Sequence, residues 1–127
     1  MRERLKKYSI QLEAEARHVN EKRSDIWCTF DRWAVPVEIK LDRHRDMWRA
    51  INQQLIPKYS IDPRAQGFGI YLVLWFGGGS QMPAPESGRK PATSAQLLQR
   101  LKEQVPAEQA RLITVHVIDC CRTAQSM

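Results

Sequence analysis

Cysteine is scarce in this chain, and its spacing lacks the patterns of disulfide frameworks and zinc ribbons. Cys28, Cys120 and Cys121 are odd in number and form no C-x-x-C pair, so reduced intracellular thiols are expected. The longest apolar run, residues 70–76, is far shorter than the roughly 20 residues that a helix needs to cross a bilayer. No apolar segment follows the charged N-terminal residues, which argues against a secretory signal. These absences predict a cytoplasmic protein without a membrane partner.

Motifs of two common enzyme classes are also missing. Gly77, Gly78 and Gly79 follow an apolar segment, but no Lys-Ser or Lys-Thr pair comes after them, which argues against a P-loop. No nucleophile elbow supports Ser-His-Asp or Cys-His catalysis. Nucleotide binding through a P-loop and covalent hydrolysis are therefore not expected.

Length and charge give the first positive indications. The chain has 127 residues, of which 43% are hydrophobic, so we expect a single domain over residues 1–127 with one core. The formal net charge of +6 favours polyanionic partners such as nucleic acid. A basic domain without such a partner would have the same composition.

Hydrophobic periodicity predicts the order of secondary structure. Alternating patterns predict strands at 9–17, 25–30 and 34–40, which we expect to form an antiparallel meander. A helical period follows from His44 or Arg45 to Tyr59, with an end near Pro57, and places Met47, Trp48, Ile51 and Leu55 on one apolar side. Residues 68–76 are apolar on both faces, as in a strand covered on both sides.

The remaining residues predict a loop, a helix and a last strand. Residues 77–92 are rich in glycine and proline and are expected to be a flexible loop. Thr93 and Gln96 begin a helix with capping-box chemistry, and residues 111–119 form the final strand. The fold class is therefore α/β, with a mixed sheet of about five strands flanked by helices in the order partial α-βββ-α-β-α-β. Helical crossovers should make the fourth strand parallel to the third, and the fifth parallel to the fourth.

One group of charged residues on the second and third predicted strands indicates a candidate metal site. A period of two places Glu38 and Lys40 on one face of the third strand, and among the 14 acidic residues only Glu38 has Lys two positions later. A hairpin that turns at Asp31 and Arg32 would set Asp25 opposite Glu38. Two such carboxylates repel unless a cation lies between them, and Mg²⁺ suits this role, with Mn²⁺ as an alternative. An exposed acid-x-Lys pair without function is the competing interpretation.

These residues carry a resemblance to a known superfamily. Asp25, twelve intervening residues and then Glu38-Ile39-Lys40 on a strand resemble the PD-(D/E)xK nucleases, whose restriction-endonuclease-like fold has the same order of elements. The segments 54–59 and 69–75 also look like nuclease-like domains of larger bacterial proteins, some of them linked to defence against phage. Ser24 stands where the superfamily's name has proline.

The resemblance implies a role for each site residue. Asp25 and Glu38 would bind the metal, the carbonyl of Ile39 would add a ligand, and Lys40 would be catalytic. The superfamily commonly adds an acidic residue from its first elements, for which Glu13 and Glu15 are both candidates and Glu15 is favoured. Gln54 resembles a supporting glutamine beside the metal.

Three functions remain open at the level of sequence. The leading hypothesis is Mg²⁺-dependent hydrolysis of DNA, with Arg43, Arg45 and Arg49 contacting phosphates. The alternative is an inactive nucleic-acid-binding module of a larger assembly. A structural or oligomerising domain, cut from a longer polypeptide, is the third. The partners would be DNA, further domains of a larger protein or a second copy of the chain.

Overall fold

A computed structural model describes residues 10–14 and 26–121, which fold into an α/β domain. Its strands are β1 (Ile10–Ala14), β2 (Ile26–Phe30), β3 (Trp33–Leu41), β4 (Gly69–Trp75) and β5 (Ile113–Asp119). A π-helix covers Ile51–Tyr59 and an α-helix, α1, covers Ser94–Glu103. Short 3₁₀ helices lie at Gly79–Gln81 and Ala107–Gln109.

The strands form one mixed five-stranded sheet in the order β1-β2-β3-β4-β5. The pairs β1–β2 and β2–β3 are antiparallel, whereas β3–β4 and β4–β5 are parallel, which confirms the predicted meander and the two parallel connections. Phe30 pairs with Trp33 across the hairpin. Asp31 in this turn has φ 56°, a left-handed conformation that Asp tolerates better than most residues. The turn at Asp31 and Arg32 is therefore confirmed.

The π-helix and α1 pack on the same face of the sheet. Tyr71, Val73 and Trp75 of β4 lie on this face and join one core with residues of the helices. Gly69 belongs to the same face, where a Cβ would come within 3.0 Å of Leu55 of the π-helix. The lack of a side chain at Gly69 thus permits close contact between helix and sheet.

The first helix differs from the prediction. Residues 42–49 form turns, and the helix begins at Ile51, is a π-helix and continues through Pro57 to Tyr59. The predicted start at His44 or Arg45 is therefore wrong, whereas the end at Tyr59 lies two residues beyond Pro57, near which it was predicted. The last turn uses a hydrogen bond from Ser60 N–H to the Leu55 carbonyl, five residues earlier. We attribute the wide turn to Pro57, which lacks an N–H and crowds the carbonyl of a regular α-helical turn.

Helix α1 begins as its sequence predicts. Thr93 Oγ1 accepts a hydrogen bond from Gln96 N–H at 3.1 Å, and the Gln96 side chain accepts one from Ala92 N–H at 2.7 Å. Carbonyls of the preceding segment 77–92 attach it to the turns before the π-helix and to α1, because Trp48 Nε1 donates to Pro83 O and Arg100 donates to Ser87 O. The predicted flexibility of this segment stays a prediction.

The opposite face of the sheet is less covered in the described part of the chain. Ile70, Leu72 and Leu74 of β4 are half-buried there, and Ile118 of β5 is exposed. The described helices cover one face of β4, and the predicted covering of its second face stays a prediction. No helix within 10–14 and 26–121 combines the length and the apolar composition needed to span a bilayer.

Candidate functional site

The site predicted on β3 is built from Glu38 and Lys40, whose side chains meet as an ion pair. Lys40 Nζ lies 3.1 Å from Glu38 Oε2. Both residues project to the helix-covered face, since Glu38 pairs with Tyr71 and Lys40 with Val73 in the parallel register. The predicted placement of this acid and this amine on one face is confirmed.

Burial distinguishes the two partners of the ion pair. The side chain of Glu38 is 4% exposed, and that of Lys40 is 13% exposed. A carboxylate is costly to bury unless it is paired, so the ammonium of Lys40 compensates much of that cost. Of the two charged groups, Lys40 is therefore the one that solvent can approach more directly.

A buried phenol lies beside this pair. Tyr71 Oη donates a hydrogen bond to the Met47 carbonyl at 2.6 Å. Burial, followed by the negative charges of Glu38 and Asp46, raises the pKa of Tyr71 far above its ordinary value. Glu38 and Asp46 thus act electrostatically on the same hydroxyl group. Asp46 is a second carboxylate in this region that the strand pattern did not single out.

The other acidic candidates cannot be placed at the site. Asp25 and Glu15 lie outside the described residues. Glu13 belongs to β1, where its backbone pairs with that of Trp27. Residue 26 is the first described residue of β2 and pairs with Val37, the neighbour of Glu38. The predicted juxtaposition of Asp25 and Glu38 therefore stays a prediction.

Ile39 and Gln54 occupy different elements around the pair. Asp42 N–H donates to Leu74 O of β4. Because successive residues of a strand point their N–H and C=O groups to opposite sides, the even-numbered residues of β3 face β4 and Ile39 faces β2. Gln54 is half-buried on the π-helix. This placement on a neighbouring element does not by itself test the supporting role of Gln54, which stays a prediction.

The predicted phosphate contacts lie on exposed backbone turns and on the approach to the π-helix. Arg43, Arg45 and Arg49 are all exposed. The guanidinium of Arg43 lies 5.5 Å from the centre of the Phe76 ring, which orients this side chain near the end of β4. Exposed guanidinium groups can pair with phosphate oxygens, but nothing in the described contacts distinguishes these three from other surface arginines.

One buried carboxylate at the end of β3 was missed at the level of sequence. Asp42 is 2% exposed, and its Oδ2 accepts hydrogen bonds from Phe76 N–H at 2.8 Å and from Gly78 N–H at 2.9 Å. Gly78 has φ 66°, and a Cβ there would lie 2.9 Å from the Trp75 ring. Asp42 therefore holds the glycine segment after β4 against the end of β3. A single aspartate after a strand carries no pattern that could have indicated this role.

The donor groups around Glu38 fit a hard cation only in part. In residues 10–14 and 26–121, no group of three or more His, Cys, Asp or Glu side chains is arranged to hold a metal ion. Glu38 nevertheless supplies carboxylate oxygen, the ligand type that Mg²⁺ prefers, and a Mg²⁺ site can rest on one or two protein carboxylates with water and phosphate as the other ligands. Glu38 could thus supply one carboxylate ligand of such a site.

Comparison with known proteins identifies a family but no activity. A family model described as a domain of unknown function, DUF8371, matches residues 1–78. Because this match covers more than half of the chain, the protein belongs to that family. Neither the curated proteins nor the solved structures contain a match to the chain.

Proposed function

We infer that this protein is a metal-dependent nuclease of the PD-(D/E)xK type, with its site at Glu38 and Lys40. The observation that carries the proposal is the 3.1 Å ion pair between these two residues on the strand that precedes a parallel β-helix-β connection. From β1 to β5, the described order of strands and helices agrees with the order that the resemblance implied, and the partial first helix of that order lies outside the described residues. The restriction-endonuclease-like fold itself is part of the proposal.

In this proposal the carboxylates hold Mg²⁺ or Mn²⁺. Glu38 is one ligand, the carbonyl of Ile39 is another, and Asp25 is the second carboxylate. Pairing of β2 and β3 extended by one residue beyond Ile26 and Val37 would set Asp25 across from Glu38. When bound, the ion would lower the pKa of a water molecule and neutralise charge on the scissile phosphate.

Lys40 has a separate task in the proposed reaction. It is the more exposed partner of the ion pair, and its ammonium can orient a water molecule or stabilise negative charge that grows on the phosphate oxygens. Removing this charge should therefore reduce the rate of cleavage more than the affinity for DNA. Glu15 or Glu13, and Gln54, would support the site from neighbouring elements.

The experiment is cleavage of plasmid DNA by the full chain with Mg²⁺ or Mn²⁺ and a chelator control. Lys40→Ala should abolish cleavage. Lys40→Ala leaves the buried Glu38 without the ammonium of Lys40 and can destabilise the fold by about 3 kcal/mol. The double variant Glu38→Gln/Lys40→Met removes both charges at similar side-chain volume, and therefore separates loss of catalysis from loss of folding. Both variants should be inactive, and circular dichroism should report a folded double variant.

The chain offers a matched control for this experiment. Asp62 and Arg64 form a second acid-x-cation pair at 3.0 Å, but it lies at the surface. Asp62→Asn removes the acid of that pair and should leave cleavage at the wild-type rate. Cleavage that survives in the double variant, or that a chelator does not stop, would refute the proposal of a metal-dependent nuclease site at Glu38 and Lys40.

A second function is favoured by one specific observation, the burial of Glu38. An acid whose side chain is 4% exposed and paired with Lys40 is also what a purely structural ion pair would look like, in a module that binds nucleic acid without cutting it. In that case DNA affinity would fall steeply with salt, no cleavage would occur with any divalent ion, and Lys40→Ala would change stability alone.

A further inference from the structure

Strand β5 is at one edge of the described sheet and lacks the usual protection of edge strands. It pairs with β4 alone in the described structure, over seven consecutive positions from Ile113 to Asp119. Natural edge strands are commonly protected by proline, lysine or a bulge. The sequence Ile-Thr-Val-His-Val-Ile-Asp contains no proline and no lysine, and its pairing with β4 is unbroken. Such an edge is suited to accept another strand.

The hydrogen bonds at the two ends of β5 indicate which backbone groups face outward. Leu112 O accepts from Gly69 N–H, and Cys120 N–H donates to Trp75 O. Because backbone groups alternate in a parallel ladder, even-numbered residues of β5 bond to β4. The N–H and C=O groups of Ile113, Val115 and Val117 therefore point to the outer edge.

The segment 111–119 is complementary to a second copy of itself. In an antiparallel pair centred on Val115, Arg111 of one copy lies opposite Asp119 of the other, and Ile113 lies opposite Val117. Every outward-facing residue thus meets an outward-facing residue, which is the condition for each pair to exchange two hydrogen bonds. The opposite charges at the two ends favour this register over neighbouring ones. Arg111, in the turn two residues before β5, and Asp119, the last residue of β5, are both exposed. Asp119 accepts hydrogen bonds from Cys121 N–H and Ser94 Oγ, which hold its carboxylate at the end of the strand.

A groove beside the edge provides space for the side chains of the second strand. It has a volume of about 510 Å³ and lies between β5 and the end of α1, with Lys102, Val105, Ile113 and Val115 in its lining. The side chains of Ile113, Val115 and Val117 project to this helix-covered side. A paired strand would present its own Ile113, Val115 and Val117 to the same side of the extended sheet.

We propose that two copies of this chain associate through antiparallel pairing of their β5 strands about a twofold axis at Val115. The sheets of the two copies then become one continuous sheet, with an Arg111–Asp119 ion pair at each end of the interface. An extended peptide from another protein is the competing occupant of this edge.

Charge reversal tests the register directly. Arg111→Glu alone and Asp119→Arg alone each place like charges opposite one another at both ends, and each should raise the dimer dissociation constant about tenfold or more. Mixing the two variants should restore dimers, because in the mixed dimer the two substituted positions would face each other with opposite charges. Within one chain the two positions are about 25 Å apart, so this rescue can only report contact between copies.

Sedimentation velocity over a range of concentrations measures these equilibria, with Lys58→Glu as a control that changes the charge equally at an exposed position away from β5. The control should dimerise like the wild type. Hydrogen exchange adds a residue-level readout, because the outward amide of Val115 should gain protection on dimerisation, whereas the amide of His116, which bonds to β4, should be protected at every concentration. A monomeric wild type, or variants that dimerise as well alone as mixed, would overturn the proposal.

Discussion

The carboxylate of Asp42 accepts a hydrogen bond from the backbone N–H of Gly78 at 2.9 Å, across the carboxyl ends of two parallel strands. The same oxygen accepts a second bond from Phe76 N–H. Through these two bonds, the buried Asp42 holds the glycine segment at the carboxyl ends of β3 and β4, near the proposed site. Its contribution to stability can be measured.

Asp42→Ala should lower the free energy of unfolding by about 3 kcal/mol, because two N–H groups lose a charged acceptor in a buried place. Urea denaturation measures the change. Asp42→Asn keeps one acceptor oxygen and should recover part of the loss. Equal stability of Asp42→Ala and the wild type would show that the segment after β4 is held by other contacts.

Gly69→Ala should destabilise the fold by about 1 to 3 kcal/mol. A Cβ at this position would lie 3.0 Å from Leu55 Cδ1 and 3.3 Å from Ile113 Cδ1, so these buried side chains would have to shift by a few tenths of an ångström in a packed core. Thermal unfolding measures the loss. The double variant Gly69→Ala/Leu55→Ala removes the clash, and the two substitutions should therefore be strongly non-additive; additive effects would contradict the close contact.

The raised pKa of Tyr71 makes stability depend on alkaline pH. Burial is the main cause, and the charges of Glu38 and Asp46 add to it. Because the folded state holds the phenol neutral, its stabilisation is complete below the ordinary tyrosine pKa of about 10 and declines as the pH rises above that value. Urea denaturation between neutral and strongly alkaline pH should record this decline.

Tyr71→Phe is the control for the alkaline decline. It should cost about 1 to 3 kcal/mol at neutral pH, since the Met47 carbonyl loses its donor, and it should make the stability of the variant less sensitive to high pH. If Tyr71→Phe and the wild type lose stability in parallel above the tyrosine range, another group is responsible.

Cys121 should react slowly with alkylating agents at neutral pH. Burial and then the hydrogen bond to the Asp119 carboxylate raise the pKa of its thiol, and the thiolate is the reactive form. In a Cys28→Ser/Cys120→Ser background, the rate of iodoacetamide labelling should rise with pH and reach its midpoint above the ordinary cysteine value. Asp119→Asn should move that midpoint downward. An unchanged midpoint would mean that Asp119 does not act on this thiol.

The sheet was largely predictable because its signals are local. Alternation in residues 34–40 fixed which side chains share a face, and the ion pair between Lys40 and Glu38 confirms it. The apolar run 68–76 predicted a strand, and β4 covers Gly69–Trp75 between two parallel neighbours. Side-chain period and strand length are properties of the segment itself, so neither required knowledge of the rest of the chain.

Other features depend on contacts between residues that are distant in sequence. Met47, Trp48, Ile51 and Leu55 were correctly predicted to share the buried side, but their spacing does not reveal that a π-helix begins only at Ile51. Nor does an amphipathic pattern show which face of the sheet a helix will cover. Asp42 was missed because its partners, Phe76 and Gly78, are distant in sequence. Asp25, on which the metal hypothesis also depends, lies outside the described residues.

The most direct test of the proposed site is an anomalous diffraction map from crystals of the full chain grown with Mn²⁺. The nuclease proposal predicts a peak at coordination distance, about 2.2 Å, from a Glu38 carboxylate oxygen, with a carboxylate of Asp25 on the same ion and Lys40 beside it. A map without a peak at Glu38, in crystals where that carboxylate still contacts the ammonium of Lys40, would contradict the metal site.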